Sequence, residues 1–130
     1  MQLNSDTGSN YATHWLYGDG SSASANAITS NTYLRPGDGQ IGTSTGNSSL
    51  VWGVAVIDFL DYKNINKYKT VRALQGVDIN GTIASVGGRV GLGSGVWMST
   101  NAITSIKLYP QAGTNWTQYS QFALYGIKGS

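Results

Sequence analysis

"LVWGVAVIDFLDYKNINKYKTVRALQG", residues 50–76, decides how this chain of 130 residues is read. Its first part offers two alternating sets, Trp52, Val54, Val56 and Leu60 against Val51, Ala55, Ile57 and Phe59, and both are apolar. With a period of two, that is a strand covered on both faces. A helix is the rival, because residues 54–75 contain neither Gly nor Pro and Ile57, Leu60, Tyr68 and Val71 partly fit helical spacing. The β-branched content and the Asn64, Asn66 pair favour a hairpin, with "KYKTVRALQG" as the returning strand. Lys63, Lys67 and Lys69 then mark a solvated hairpin tip.

Working outward, the rest of the chain is written in the same idiom. Charged residues are 11% of the total against about 25% in ordinary soluble domains, Gly occurs 18 times, and the acids are Asp alone, with no Glu. Helix formers are scarce and turn formers abundant, which favours short strands joined by polar loops. "YATHWLY" (residues 11–17) closes on "GDG"; "NTYLRPGDGQIG" offers one short strand; "TIASVGGRVGLG" alternates through Ala84, Val86, Val90 and Leu92; "VWMS" and "AITSIKLYP" follow. The final segment "QFALYGIK" sets Phe122 and Leu124 against Ala123, Tyr125 and Ile127, apolar on both sides, and is expected inside a sheet. "NAITS", at residues 26–30 and 101–105, has divergent flanks and marks no repeat unit. The expectation is an all-β protein, a jelly-roll-like β-sandwich of about eight antiparallel strands, with one domain over residues 11–130.

Residues 1–10, "MQLNSDTGSN", carry little apolar surface beyond Met1 and Leu3 and cannot fold alone. They are expected to form an extended arm lying along another subunit, with Leu3 in a small pocket there. The segment has neither the basic nor the apolar region of a signal peptide, and no apolar run approaches transmembrane length, so no membrane partner is expected.

Several chemistries fail on residue counts or spacing. The formal charge of +2 comes from bases spread thinly along the chain, not from a stripe that would track a phosphate backbone, so no nucleic-acid partner is expected. With no Cys and one His, His14, a zinc site lacks ligands and a nucleophilic triad lacks its signature. Asp58 and Asp61, three apart on a strand, point to opposite faces and do not flank one glycosidic bond; on a helix they would share a face. Asp19 and Asp38 sit in "GDG" turns, where Asp serves its own backbone and calcium is a weak alternative. "GGRVGLGSG" lacks the Lys and Ser or Thr of a phosphate loop and reads as bulges and tight turns between strands. The expectation is a protein that is not an enzyme, with no catalytic residues, no cofactor and no metal.

The aromatics remain. Trp97 and Trp116 are flanked by Gly, Ser, Thr and Asn and are expected to be exposed, suited to a protein interface or to stacking on a sugar. With Leu3, they are the candidate partner-binding residues.

The segments "VIDFLDYKNINKYKTVRALQGVDING" and "SGVWMSTNAITSIKLYPQAGTNWTQYSQFALYGIKG" resemble a group of small bacteriophage virion proteins in which an "I-D-x-x-D-Y" strand, a "K-x-K-T-V-R" return and a terminal "F-x-L-Y-G-I" strand recur in this order. The likeness covers about residues 51–129. It implies a jelly-roll-like structural domain, either a capsid decoration (cement) subunit or a tail-associated or fibre-tip module that could take a glycan. A chain running from Met1 through one domain fits the cement role better. Under that role the resemblance implies a homotrimer, made in the host cytoplasm, that binds the major capsid protein on the capsid exterior of the virion.

Overall fold

The computed structural model describes residues 1–37, 51–78, 88–111 and 113–127. Asp38 and the stretch 79–87, which contains Ala84 and Val86, lie outside the described residues. The strands are β1 (Gln2–Leu3), β2 (Tyr11–Gly18), β3 (Ala23–Asn31), β4 (Val54–Phe59), β5 (Lys69–Val77), β6 (Arg89–Trp97) and β7 (Ile106–Lys107). Among the described residues there is no helix. Five strands form one antiparallel sheet in the order β3-β2-β6-β5-β4, and β1 and β7 pair antiparallel as a second, small sheet. The two meet in a core of Met1, Leu3, Tyr11, Leu34, Val71, Trp97 and Ile103, against which Ile57, Phe59 and Ile106 pack. The all-β sandwich expected from the sequence is what the chain forms.

The deciding stretch is a hairpin. β4 and β5 pair from Val54↔Gly76 to Phe59↔Val71, so the β-branched residues prevail over the partial helical spacing. Its position differs from the expectation, for β4 is the last strand of the sheet and is covered on one face only. Ala55, Ile57 and Phe59 turn inward, whereas Trp52, Val54, Val56 and Leu60 are exposed. At the tip Lys63 and Lys67 are solvated, but Lys69 is completely buried. Its ammonium donates to the carbonyls of Asn64, Lys67 (2.8 Å) and Thr100 (3.1 Å) and so ties the tip to the segment after β6. A buried charge is tolerable only when hydrogen-bonded in this way.

From Arg89 onward the glycine-rich stretch marks no turn but belongs to the strand β6, in the middle of the sheet. Gly91, Gly93 and Gly95 alternate onto its inner side. A Cβ at Gly93 would stand 2.6 Å from the Gly37 nitrogen, and one at Gly95 would stand 2.5 Å from a Leu34 methyl. The bare strand lets the segment through Leu34 and Gly37 cross directly over the sheet, and Leu34 thereby reaches the core.

Residues 1–10 are not an arm laid on a partner, and no domain boundary falls at residue 10. Leu3 is 0% exposed within its own chain. The Met1 ammonium donates to the Leu34 carbonyl at 2.7 Å, and the Leu34 amide returns a bond to the Met1 carbonyl at 2.9 Å. The Tyr11 hydroxyl accepts from the Leu3 amide and donates to the carbonyls of Leu3 or Asp6. Asn4, at φ 52°, accepts from the Thr104 and Ser105 amides and donates to the Ala102 carbonyl. A segment too polar to fold alone is held because its few apolar side chains and its backbone find partners far along the chain.

The C-terminal expectation is also corrected. Residues 121–127 form no strand; they follow a turn in which the Ser120 amide donates to the Thr117 carbonyl and Tyr119 has φ 71°.

Candidate functional site

The sequence-derived candidates separate on folding. Leu3 and Trp97 lie together in the core, and neither presents a side chain to a partner. Trp97 is 2% exposed, stacks on Tyr11 with ring centroids 6.4 Å apart, and donates its indole N–H to an Asp6 carboxylate oxygen at 2.7 Å. That bond, with a second from the Asn10 amide, holds the Asp6 carboxyl below its ordinary range. Small polar neighbours suggested exposure for Trp97, but strand parity was the better guide: Gly91, Gly93, Gly95 and Trp97 share one side. Trp116 is exposed, as expected, and meets Phe122 edge-on at 4.9 Å.

The carboxylates of the hairpin are committed to neighbours. Asp58 accepts from Arg72 at 2.7 Å, and Asp61 pairs with Lys67 at 3.3 Å. Asp19 accepts from the amides of Ser21 and Ser22 at 2.9 and 2.8 Å, which lowers its pKa and closes the turn between β2 and β3. His14 is exposed on the outer face of β2. Among the described residues no three His, Asp or Glu side chains cluster as metal ligands would.

A different feature stands out, and the sequence reading did not find it. Register places Leu16, Leu92, Leu74 and Val56 side by side across β2, β6, β5 and β4. In the adjoining row are Val90 and Val54, each opposite a glycine, Gly18 and Gly76. All six point away from the core and are at least half exposed. The row on the other side is polar: His14, Ser94, Arg72 and Asp58. The outer face of the sheet is thus divided into an apolar half and a polar half.

The second feature is the tail. Phe122, Leu124, Tyr125 and Ile127 are exposed by 57, 82, 84 and 90%. An exposed Leu or Val on its own means little, but a contiguous apolar patch and an apolar segment on one molecule are candidate surfaces for association. Parity could have revealed the patch, since Leu16, Leu74 and Leu92 each sit one residue away from inward-facing positions on both sides. What parity could not supply is the register that brings them into one row. No protein-family model, no curated protein and no solved structure matches the chain.

Proposed function

We propose that this chain is a non-enzymatic structural subunit that works in an assembly, a capsid decoration protein on the exterior of a phage head, where it binds the major capsid protein and reinforces its lattice. The observation that carries the assembly role is the exposed row Leu16, Leu92, Leu74 and Val56 on the outer face of the sheet. Leaving it in water forgoes roughly 25 cal/mol for each Å² of apolar surface, and association recovers that free energy. The phage setting rests on the likeness of residues 51–129 to small virion proteins. A homotrimer suits the threefold positions of an icosahedral shell, because one interface then repeats across it. The decisive experiment is to locate the subunit in a reconstruction of the intact virion. Hundreds of copies on the head support the decoration role; a few copies at the tail tip refute it.

One observation favours a second reading, a tail-associated module that binds a glycan. Trp116 is exposed and braced edge-on by Phe122, an arrangement that can present an indole face to a sugar ring. Glycan-array binding that Trp116→Ala removes would support this reading.

A further inference from the structure

We infer that the C-terminal segment Phe122–Ile127 of one copy covers the apolar half of the sheet's outer face on a second copy of the same chain. This inference rests on the assembly reading above and names the contact. Both surfaces are apolar, and both are exposed in the single chain by half or more. Their dimensions agree. Six extended residues span about 20 Å, while the row from Leu16 on β2 to Val56 on β4 crosses three strand spacings, about 14 Å. The contact also accounts for the composition of the tail. Laid out extended on the neighbour, the segment sets Phe122 and Leu124 on one side and Tyr125 and Ile127 on the other. A segment apolar on both sides is suited to lie between subunits, one side on the neighbour's row and the other toward the assembly axis.

The polar row His14, Ser94, Arg72 and Asp58 limits the docking area, since laying Phe122 or Leu124 over the Asp58–Arg72 pair would strip water from two charges. Donor and acceptor are different parts of the chain, so the interface is heterologous and each copy uses both. Such a contact closes into a ring when the rotation permits.

The test uses two variants of the full chain, each charged at side chains that are already exposed in the subunit: Leu124→Asp with Ile127→Asp in the tail, and Leu74→Asp with Leu92→Asp on the face. Oligomeric mass is read by light scattering and folding by far-ultraviolet dichroism. The wild type should be an oligomer, and each variant should keep the wild-type dichroism at monomer mass, its association weakened tenfold or more. Mixing the two variants should restore a one-to-one dimer, because the tail variant retains an intact face and the face variant an intact tail. If either variant keeps the wild-type mass, or if the mixture stays monomeric, the contact is not tail on face. A tail that folds onto its own sheet would give a monomeric wild type and would equally overturn the inference. The virion reconstruction judges the assembly reading separately, so the two can fail independently.

Discussion

At the scale of single residues, three positions carry more than their sequence context suggests. Leu3 is one of few apolar residues in a polar stretch, yet it is enclosed between the two sheets. Leu3→Ala should cost about 2–4 kcal/mol in chemical denaturation of the subunit. Lys69 is read from sequence as one more solvated lysine, but three carbonyls depend on it. Lys69→Met keeps the bulk of the chain and leaves those carbonyls without their donor, so a loss of about 2–4 kcal/mol is expected. The Met1 ammonium is the third. Burial lowers its pKa from 8.0 to about 6. The unfolded chain therefore binds more protons than the folded one between about pH 6 and 8, and stability rises with pH across that window. With allowance for partial solvent screening the gain is about 1–2 kcal/mol. Denaturation midpoints at intervals across the window should trace this rise, and acetylating the amine should flatten it.

At the scale of elements, the hairpin β4–β5 was legible because its residues carry both a pattern and a turn. Alternation, β-branching and the Asn64, Asn66 pair all point to the same structure. Strand β6 was legible only in part, since three glycines in alternation look locally like punctuation. Their role is set by what passes over them: the backbone at Gly37 and the side chain of Leu34 occupy the space that side chains would take. Gly93→Ala puts a methyl group against backbone that cannot turn aside and should cost about 1–3 kcal/mol. Gly126→Ala, where nothing lies within 4 Å of the new Cβ, should leave the subunit within about 0.5 kcal/mol of wild type under the same denaturation assay.

At the scale of the whole molecule, the two ends of the chain have opposite roles. Met1 and Leu3 complete the subunit core, and the Tyr11 hydroxyl is bound to the backbone at Leu3 and Asp6. Deleting residues 2–10 should therefore abolish the cooperative thermal transition. Among the described residues, the tail beyond Trp116 contributes none to the core cluster. Deleting residues 116–130 should leave the subunit's thermal midpoint within about 5 °C of its original value, measured by dichroism on monomeric protein. The deletion should also raise the fluorescence of a dye that reports exposed apolar surface, because the face is left uncovered.

The amino-acid sequence set the class of structure: alternation, turn residues and the scarcity of helix formers make strands wherever the backbone can pair. It also gathered Phe122, Leu124, Tyr125 and Ile127 into one apolar segment. Tertiary structure decided which strands are central, which face each alternating set meets, and which end belongs to the core. Those outcomes depend on pairings between distant segments, β2 with β6 and Asn4 with Thr104, whose registers no local pattern encodes. The same pairings turned Trp97 inward and gathered Leu16, Leu92, Leu74 and Val56 into one exposed row. Parity along a strand tells a residue which neighbours share its side; only the packing of the finished sheet tells it whether that side meets the core or water.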